Sequence, residues 1–503
     1  MARRLRRALV AVVGMALVCA GVLTVSATMA SAAATTLYVA TTGTNTTRCT
    51  SASDACATIQ DAITEAEGAT LTGASVTIDV AAGTYKENDT IDDPTTQNPT
   101  LTIAGSAAAT TTVSGVADSV ITIVAGTVTI ERLTITGGDT TTYASGGGLD
   151  NAGTVTLAND TITGNTVGDD GSGAGMYNTG TATLTNDTVS ENYDESGGGG
   201  GMYNTGTATL TDDTFFENTA LGGGAIANSG TATANDDTFT GNNGISAGGA
   251  IATAGSATLN DDTFFGNGAT VDGGAIAVGG SANLTNDTLF NNTASYGGGV
   301  ATDGGEITSI SNSIVDASPC FGTILDGGYN VESDDSCGFG STDLVNNADI
   351  NLATSLAANG SSGPETLAIG TSSSAFEEVP PANCTVTTDE RGDPRPGVPG
   401  EDCDAGAFEY QPAPTVSAVS PKSGPTTGGT AITITGTGFV SGASVKVGQG
   451  TSPAIPATAV TVVSPTEITA TTGGGAQAGT FNLFVTTSGG TSAANTGDDF
   501  TYG

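Results

Sequence analysis

Short runs in which every second residue is apolar recur down the middle of the chain, each cut off by Gly and Asn. One marker reads Asn/Asp-Asp-Thr, an apolar residue, two variable residues and Asn. Its Thr falls at Thr161, Thr188, Thr214, Thr238, Thr263 and Thr288, and Ser313 closes the series, at intervals of 24 to 27 residues. A second marker, Gly followed by Leu149, Met176, Met202, Ile226, Ile251, Ile276 or Val300, keeps step with the first. Two markers in register over seven units predict stacked structural units rather than one closed core. Three short strands fit each unit, represented by Gly-Gly-Ala-Ile226-Ala, Thr207-Ala-Thr-Leu210 and Asp213-Thr-Phe215-Phe. Alternation puts Ile226, Ala208, Leu210 and Phe215 on one face, together with the equivalent Ile162, Val189, Phe239, Phe264 and Leu289.

Three strands per turn joined by Gly- and Asn-rich bends wind into a parallel β-helix whose coils pair at about 4.8 Å. Two polar columns run with the apolar one. Asn165, Asn192, Asn218, Asn242, Asn267 and Asn292 can tolerate left-handed backbone at a bend and bond their copies in the next coil. Asp160, Asp187, Asp213, Asp237, Asp262 and Asp287 form the other column and either cap turns or face solvent. Any adjacent pair in it meets the carboxylate spacing of a glycosidase, so that distance decides nothing. A ladder present in every coil is a folding element.

Outside the repeats the pattern changes. Thr36–Ala40 reads as a strand. Ala57–Ala66, with Ile59, Ala62, Ile63 and Ala66 at helical spacing, is the best helix candidate. Val76–Val80, Thr100–Ala104, Val120–Val124 and Val128–Ile135 continue the strand pattern. Residues 1–32 read as a secretory signal peptide, with Arg3, Arg4, Arg6 and Arg7, an apolar stretch from Ala8 to Val25, and Ala30-Ser31-Ala32 before the cut. No later membrane span is apparent.

Composition sharpens the picture. The chain has 503 residues, 75 Gly, no Trp and no His, with a formal charge of −40. Once the four signal arginines leave, seven basic residues face 51 acidic ones. No Lys or Arg lies between Arg132 and Arg391. Nucleic acid and anionic membranes, which need positive surface, are poor partners, and no nucleic acid is expected. A neutral glycan or another cell-surface ligand remains compatible. Six cysteines outlast the signal, and an even number in a secreted chain points to disulfides: Cys49–Cys56, Cys320–Cys337 and Cys384–Cys403 are the sequence-local pairing among fifteen combinations.

Phe215-Phe-Glu-Asn218 and Phe264-Phe-Gly-Asn267, alternating with Gly-Gly-Ala-Ile, resemble the repeats of polymorphic outer-membrane proteins. More broadly, residues 35 to 318 resemble right-handed parallel β-helices of the pectate-lyase-like superfamily, with 57 to 115 similar to its capping helix and first coils. That fold hosts adhesins, lyases and hydrolases alike. Residues 319–411, with Gly327-Gly-Tyr-Asn330, Asp389-Glu-Arg-Gly392, Pro394-Arg-Pro396 and Gly406-Ala-Phe-Glu409, resemble the choice-of-anchor tail of secreted bacterial β-helix proteins. Beyond a short linker, Val419-Ser-Pro421, Gly428-Gly429-Thr and Ile432-Thr-Ile-Thr-Gly436-Thr-Gly-Phe439 resemble an IPT/TIG domain, an immunoglobulin-like sandwich of about 90 residues. DNA-binding relatives of that domain exist, but only Lys422 and Lys446 are basic here. The expected organisation is therefore all-β: signal peptide 1–32, right-handed parallel β-helix with three strands per coil and an N-terminal capping helix over 33–318 (regular repeats 134–318), tail 319–411, and IPT/TIG sandwich 412–503.

Chemistry is narrowed by what is missing. Without His there is no Ser-His-Asp triad, Cys-His pair or His-ligated zinc. Without Lys or Arg in the stack there is no base of the kind that calcium-dependent pectate lyases use. The repeat itself breaks in the early coils, where the bend after the Asn column carries Asp169-Asp170 and then Tyr193-Asp194-Glu195. The same coils carry Tyr177 and Tyr203, which alternation places outward, one above the other, where later coils have Ala227, Ala252 and Ala277. Tyr177, Tyr203 and Tyr193 beside carboxylates make a sugar-stacking platform. Arg391-Gly392-Asp393 spells an integrin-type motif, set aside because the tail needs Arg-Gly there for structure. No cofactor is expected apart from Ca²⁺, which would relieve repulsion along the Asp column. Two functions stand against each other. One is a secreted, non-catalytic β-helix protein acting in adhesion or glycan binding. The other is a carboxylate-dependent glycoside hydrolase, or less so a lyase, using Asp169, Asp170, Asp194 and Glu195. Acids converging in a groove favour the enzyme; acids splayed into solvent favour the binder.

Overall fold

The computed structural model describes residues 35–44, 48–68, 75–92, 100–140, 145–169, 171–302, 308–347, 349–360, 363–449 and 452–503. The signal-peptide segment and Asp170 lie outside these residues.

Parallel strands stack coil on coil into a β-helix. Among the described residues its three main sheets hold twelve, eleven and nine strands. One coil shows the plan. Met202–Asn204 belongs to the nine-stranded sheet, Thr207–Thr211 to the twelve-stranded and Thr214–Phe216 to the eleven-stranded. A fourth strip of six short strands, here Thr219–Gly222, occupies what the sequence presents as a long bend. Three strands per coil thus becomes three plus a short fourth, because the residues after the Asn column extend far enough to pair with the coil above. Helix Ile59–Ala66 buries Ile59, Ala62, Ile63 and Ala66 at the first coils, and the Thr58 side chain caps it by accepting from Asp61 N–H.

The interior stacks like on like. Phe215, Phe239 and Phe264 are fully buried, with ring centroids 5.2 and 4.8 Å apart. Bends bring backbones so close that a Cβ on Gly206 would stand 2.0 Å from the Gly180 carbonyl oxygen, so a side chain there is excluded.

Both polar columns are buried. Each ladder Asp accepts a backbone N–H from the coil before it: Leu133 to Asp160, Asp160 to Asp187, Asp187 to Asp213, and so on through Asp287. The column therefore caps turns and does not face solvent. Within the column a ladder Asn accepts the preceding Asn's N–H on Oδ1 and donates Nδ2 to the next Oδ1 and to a strand carbonyl, as Asn218 does with Asn242 and Val189; at the ends Asn165 accepts from Gly138 N–H and Asn292 donates to Ser318 Oγ. Left-handed backbone falls elsewhere than expected. Asn159, Asn186, Asp212, Asp236, Asp261 and Asn286, just before the ladder Asp, carry φ of 56 to 60°. Gly164, Glu191, Glu217, Gly241, Gly266 and Asn291, just before the ladder Asn, are also left-handed. The ladder residue must aim its side chain along the stack, so its predecessor makes the turn. A third ladder, Asn151, Asn178, Asn204 and Asn228, runs along the nine-stranded sheet through Nδ2-to-Oδ1 bonds of 2.7 to 2.8 Å.

The tail folds back over the outer face of the eleven-stranded sheet. Its own core, including Ile350, Leu367, Val379 and Phe408, packs against Phe265 and Phe290 of that sheet. The Thr263 hydroxyl donates to buried Glu390, the Thr238 hydroxyl lies within hydrogen-bond distance of the same carboxyl, and Arg395 pairs with Asp261 at 3.1 Å. Cys49–Cys56, Cys320–Cys337 and Cys384–Cys403 are all bonded. The C-terminal unit is an antiparallel sandwich around an apolar core that includes Ile434, Phe439, Leu483, Val485 and Phe500.

Candidate functional site

Period-two geometry decides what the nine-stranded sheet shows to solvent. In each strand the first and third residues turn inward, so the middle residue forms an outward column. Read coil by coil, that column is Asp150, Tyr177, Tyr203, Ala227, Ala252, Ala277 and Ala301, and an isolated bridge from Ala301 adds Phe321. Tyr177 and Tyr203 stack, centroids 5.5 Å apart and planes within 8°. Burial and its two neighbours, Tyr203 and Asp150, raise the Tyr177 phenol above its ordinary range.

Over the four alanines the surface sinks into a trough of about 520 Å³. Its floor is Ala227, Ala252, Ala277 and Ala301. One wall carries Leu221, Gly222 and Ala247 of the fourth strip and Asp272 from the loop after it; the other runs along Asn228, Thr253, Val278 and Thr302, the buried last residues of the floor strands, with Ser229 exposed just beyond them. Phe321 closes the far end, half exposed and in ring contact with Tyr296 at 5.0 Å. Among the described lining residues the single charge is Asp272.

Of the carboxylates proposed for hydrolysis, Asp169, Asp194 and Glu195 do not line this trough, and Asp170 lies outside the described residues. Asp169 and Glu195 are exposed. Asp194 is buried, and its Oδ1 accepts N–H groups from Ser196 and Gly197, an arrangement that shapes the loop. Burial pushes its carboxyl up to about 6. Tyr193 lies on the fourth strip, 43% exposed, away from the column that holds the stacked pair. Among the described residues no group of three or more His, Cys, Asp or Glu side chains could hold a metal ion. The Arg-Gly-Asp sequence is not displayed. The Arg391 guanidinium is buried over the Phe408 ring at 3.7 Å and bonds Asp389 and the Glu409 carbonyl.

Sequence reasoning missed the trough, the third Asn ladder and the aromatic closure at Phe321. The ladder had a signal, since Asn recurs two residues after the inward Leu149, Met176, Met202 and Ile226. Phe321 had none, because it enters the column from beyond the last regular repeat.

Comparison with known proteins places part of the chain. Residues 414–502 match the IPT/TIG domain. No curated protein matches the chain. Similar solved structures include a pectin methylesterase mutant in complex with a hexasaccharide, 16% identical, TM-score 0.28, covering 58% of this chain and 80% of that one. A second is a mannuronic acid specific polysaccharide family 6 lyase from human gut microbiota, 10% identical, TM-score 0.32, covering 60% and 81%.

Proposed function

We propose that this is a secreted or cell-surface protein that binds a glycan on a rigid β-helix and does not cleave it. The observation that carries this reading is the stacked pair Tyr177–Tyr203, held outward on a sheet that gives neither ring a packing role in the core. Ring faces beside hydroxyl and amide groups suit the apolar faces and polar rims of sugars. Hydrolysis requires two carboxyl groups about 5 to 9.5 Å apart across one bond. Asp169 and Glu195 instead face solvent and Asp194 serves a turn, which supports binding over catalysis. The tail's resemblance to choice-of-anchor segments and the IPT/TIG unit fit a protein that works outside the cell, with the sandwich as spacer or second contact.

A glycan array and a reducing-sugar assay on the same mature protein test the reading. Retention of a glycan with no release of reducing ends is the expected result. Release of reducing ends that is abolished by Asp194→Asn or Glu195→Gln would instead establish the carboxylate hydrolase.

A further inference from the structure

We infer that the trough is built for one uncharged oligosaccharide lying extended along the solenoid axis, from Tyr203 to Phe321. This rests on the glycan-binding reading and goes further, naming ligand charge, direction and span.

Length comes first. From Tyr203 through four alanines to Phe321 are five rungs of about 4.8 Å, roughly 24 Å in all. The floor is kept low by alanine at four successive rungs, and aromatic rings rise at both ends. A linear chain of rings fits such a trough: its two ends stack on Tyr203 and Phe321 while its middle lies over the alanines. The volume of about 520 Å³ falls within the 300–1,000 Å³ usual for ligand sites.

Charge comes second. No Lys or Arg occurs between Arg132 and Arg391, and the one charge among the described lining residues is Asp272. A polyuronate would bring carboxylates to a surface with no counter-charge, in a protein whose net charge is −40. An uncharged chain meets no such opposition. Exposed Ser229 and Ser246 line the walls and supply hydroxyl groups for its rim, while Asn228, Thr253 and Thr302 are held in hydrogen bonds within the fold.

Backbone pairing decides between sugar and peptide. A peptide commonly docks on a sheet by adding a strand to a free edge. The floor strands at Ile226–Asn228, Ile251–Thr253 and Ile276–Val278 are each paired on both sides by neighbouring coils, so no edge is open to it.

The test uses the mature full-length protein and β-1,4-linked gluco-, xylo- and manno-oligosaccharides of two to six units, with oligogalacturonate as the charged counterpart. Binding is read by calorimetry. Affinity should climb with chain length for a neutral series, and oligogalacturonate of equal length should bind at least tenfold more weakly at low salt. Ala252→Trp, which fills the middle of the floor from its outward face, should weaken the longest neutral probe at least tenfold. Thr209→Trp, outward on the twelve-stranded sheet, should leave it unchanged. Phe321→Ala should remove the gain from the longest chains while sparing the shortest, which checks the span without plugging the trough. If neutral probes bind and Ala252→Trp matches the parent, the trough assignment is wrong while glycan binding stands. Tighter binding of oligogalacturonate overturns the charge argument. If none of the sugars binds, or random peptides bind in their place, both the inference and the glycan reading fall.

Discussion

The two halves of this molecule solve the same problem in opposite ways. The IPT/TIG sandwich closes two antiparallel sheets over an apolar core. The β-helix runs its turns through buried Asp and Asn ladders with no Lys or Arg among them. The difference follows from the backbone. A sandwich turns its chain at the solvent-exposed ends of its sheets. A solenoid turns inside the stack at every coil, where each N–H must find a partner without water. The ladder side chains are those partners, which is why polar residues repeat as strictly as apolar ones.

The sharpest way to break the comparison is to remove a ladder rung. Asn218 Oδ1 accepts from both the N–H and the Nδ2 of Asn192, and its own Nδ2 donates to Val189 and Asn242. Asn218→Leu keeps the size and deletes all four bonds. At about 1–3 kcal/mol for each buried group left unpaired, the β-helix should lose roughly 5 kcal/mol. Denaturant unfolding followed by calorimetry should show the solenoid transition move while the sandwich transition stays.

Apolar packing should treat the two halves alike. Phe239→Ala inside the solenoid and Phe500→Ala inside the sandwich each remove a fully buried ring. Each should cost about 3–5 kcal/mol, seen in its own unfolding transition only. Equal costs here, beside an unequal response to polar substitutions, would locate the difference in the ladders.

What was legible in the sequence divides along the same line. Residues that obey the repeat could be placed in advance. Phe215, Phe239 and Phe264 stack inside and Tyr177 and Tyr203 stack outside, because period two fixes the face and the coil length fixes the neighbour. The Asn column bonds its copies as expected, but its left-handed backbone belongs to the residue before it. Spacing locates a turn without saying which of two adjacent residues bends. Contacts between parts of unequal repeat were not readable. Examples are Glu390 reaching Thr238 and Thr263 across more than a hundred residues, and Phe321 closing the trough.

Acidity should separate the halves next. Burial, followed by repulsion from Asp187, pushes the Asp160 carboxyl up to about 8; burial takes Asp187 to about 7. Asp213, Asp237, Asp262 and Asp287 are held well above the ordinary range, again chiefly by burial. Glu390 behaves likewise. Thr238 Oγ1 stands 2.8 Å from the Glu365 carbonyl and 2.9 Å from Glu390 Oε1, and its one proton serves only one of them. The second contact is complete when Glu390 carries a proton. Raised folded values mean stabilisation present in full below about pH 4 and lost as pH climbs through 7 to 8. The solenoid should therefore melt higher at pH 5 than at pH 8, by on the order of a few kcal/mol in stability, while the sandwich changes little. A solenoid transition that falls on acidification would contradict this account.

The smallest expected effect carries the most weight for function. The structure holds three aromatic stacks of similar geometry in different settings. Phe239–Phe264 is inside the solenoid, with centroids 4.8 Å apart. Phe265–Phe290 is on the outer face at 5.8 Å, and the tail packs over it. Tyr177–Tyr203 is on the outer face at 5.5 Å, partly exposed. Removing a ring from the first costs a cavity. Removing one from the second also loosens the tail. Tyr177→Ala gives up only a surface ring pair, about 0.5–1.5 kcal/mol or less, because no core collapses around it. Its melting temperature should stay close to the parent's, yet glycan retention should fall by tenfold or more. The same variant would expose a purely structural pair by the reverse result: a clear loss of stability with retention unchanged.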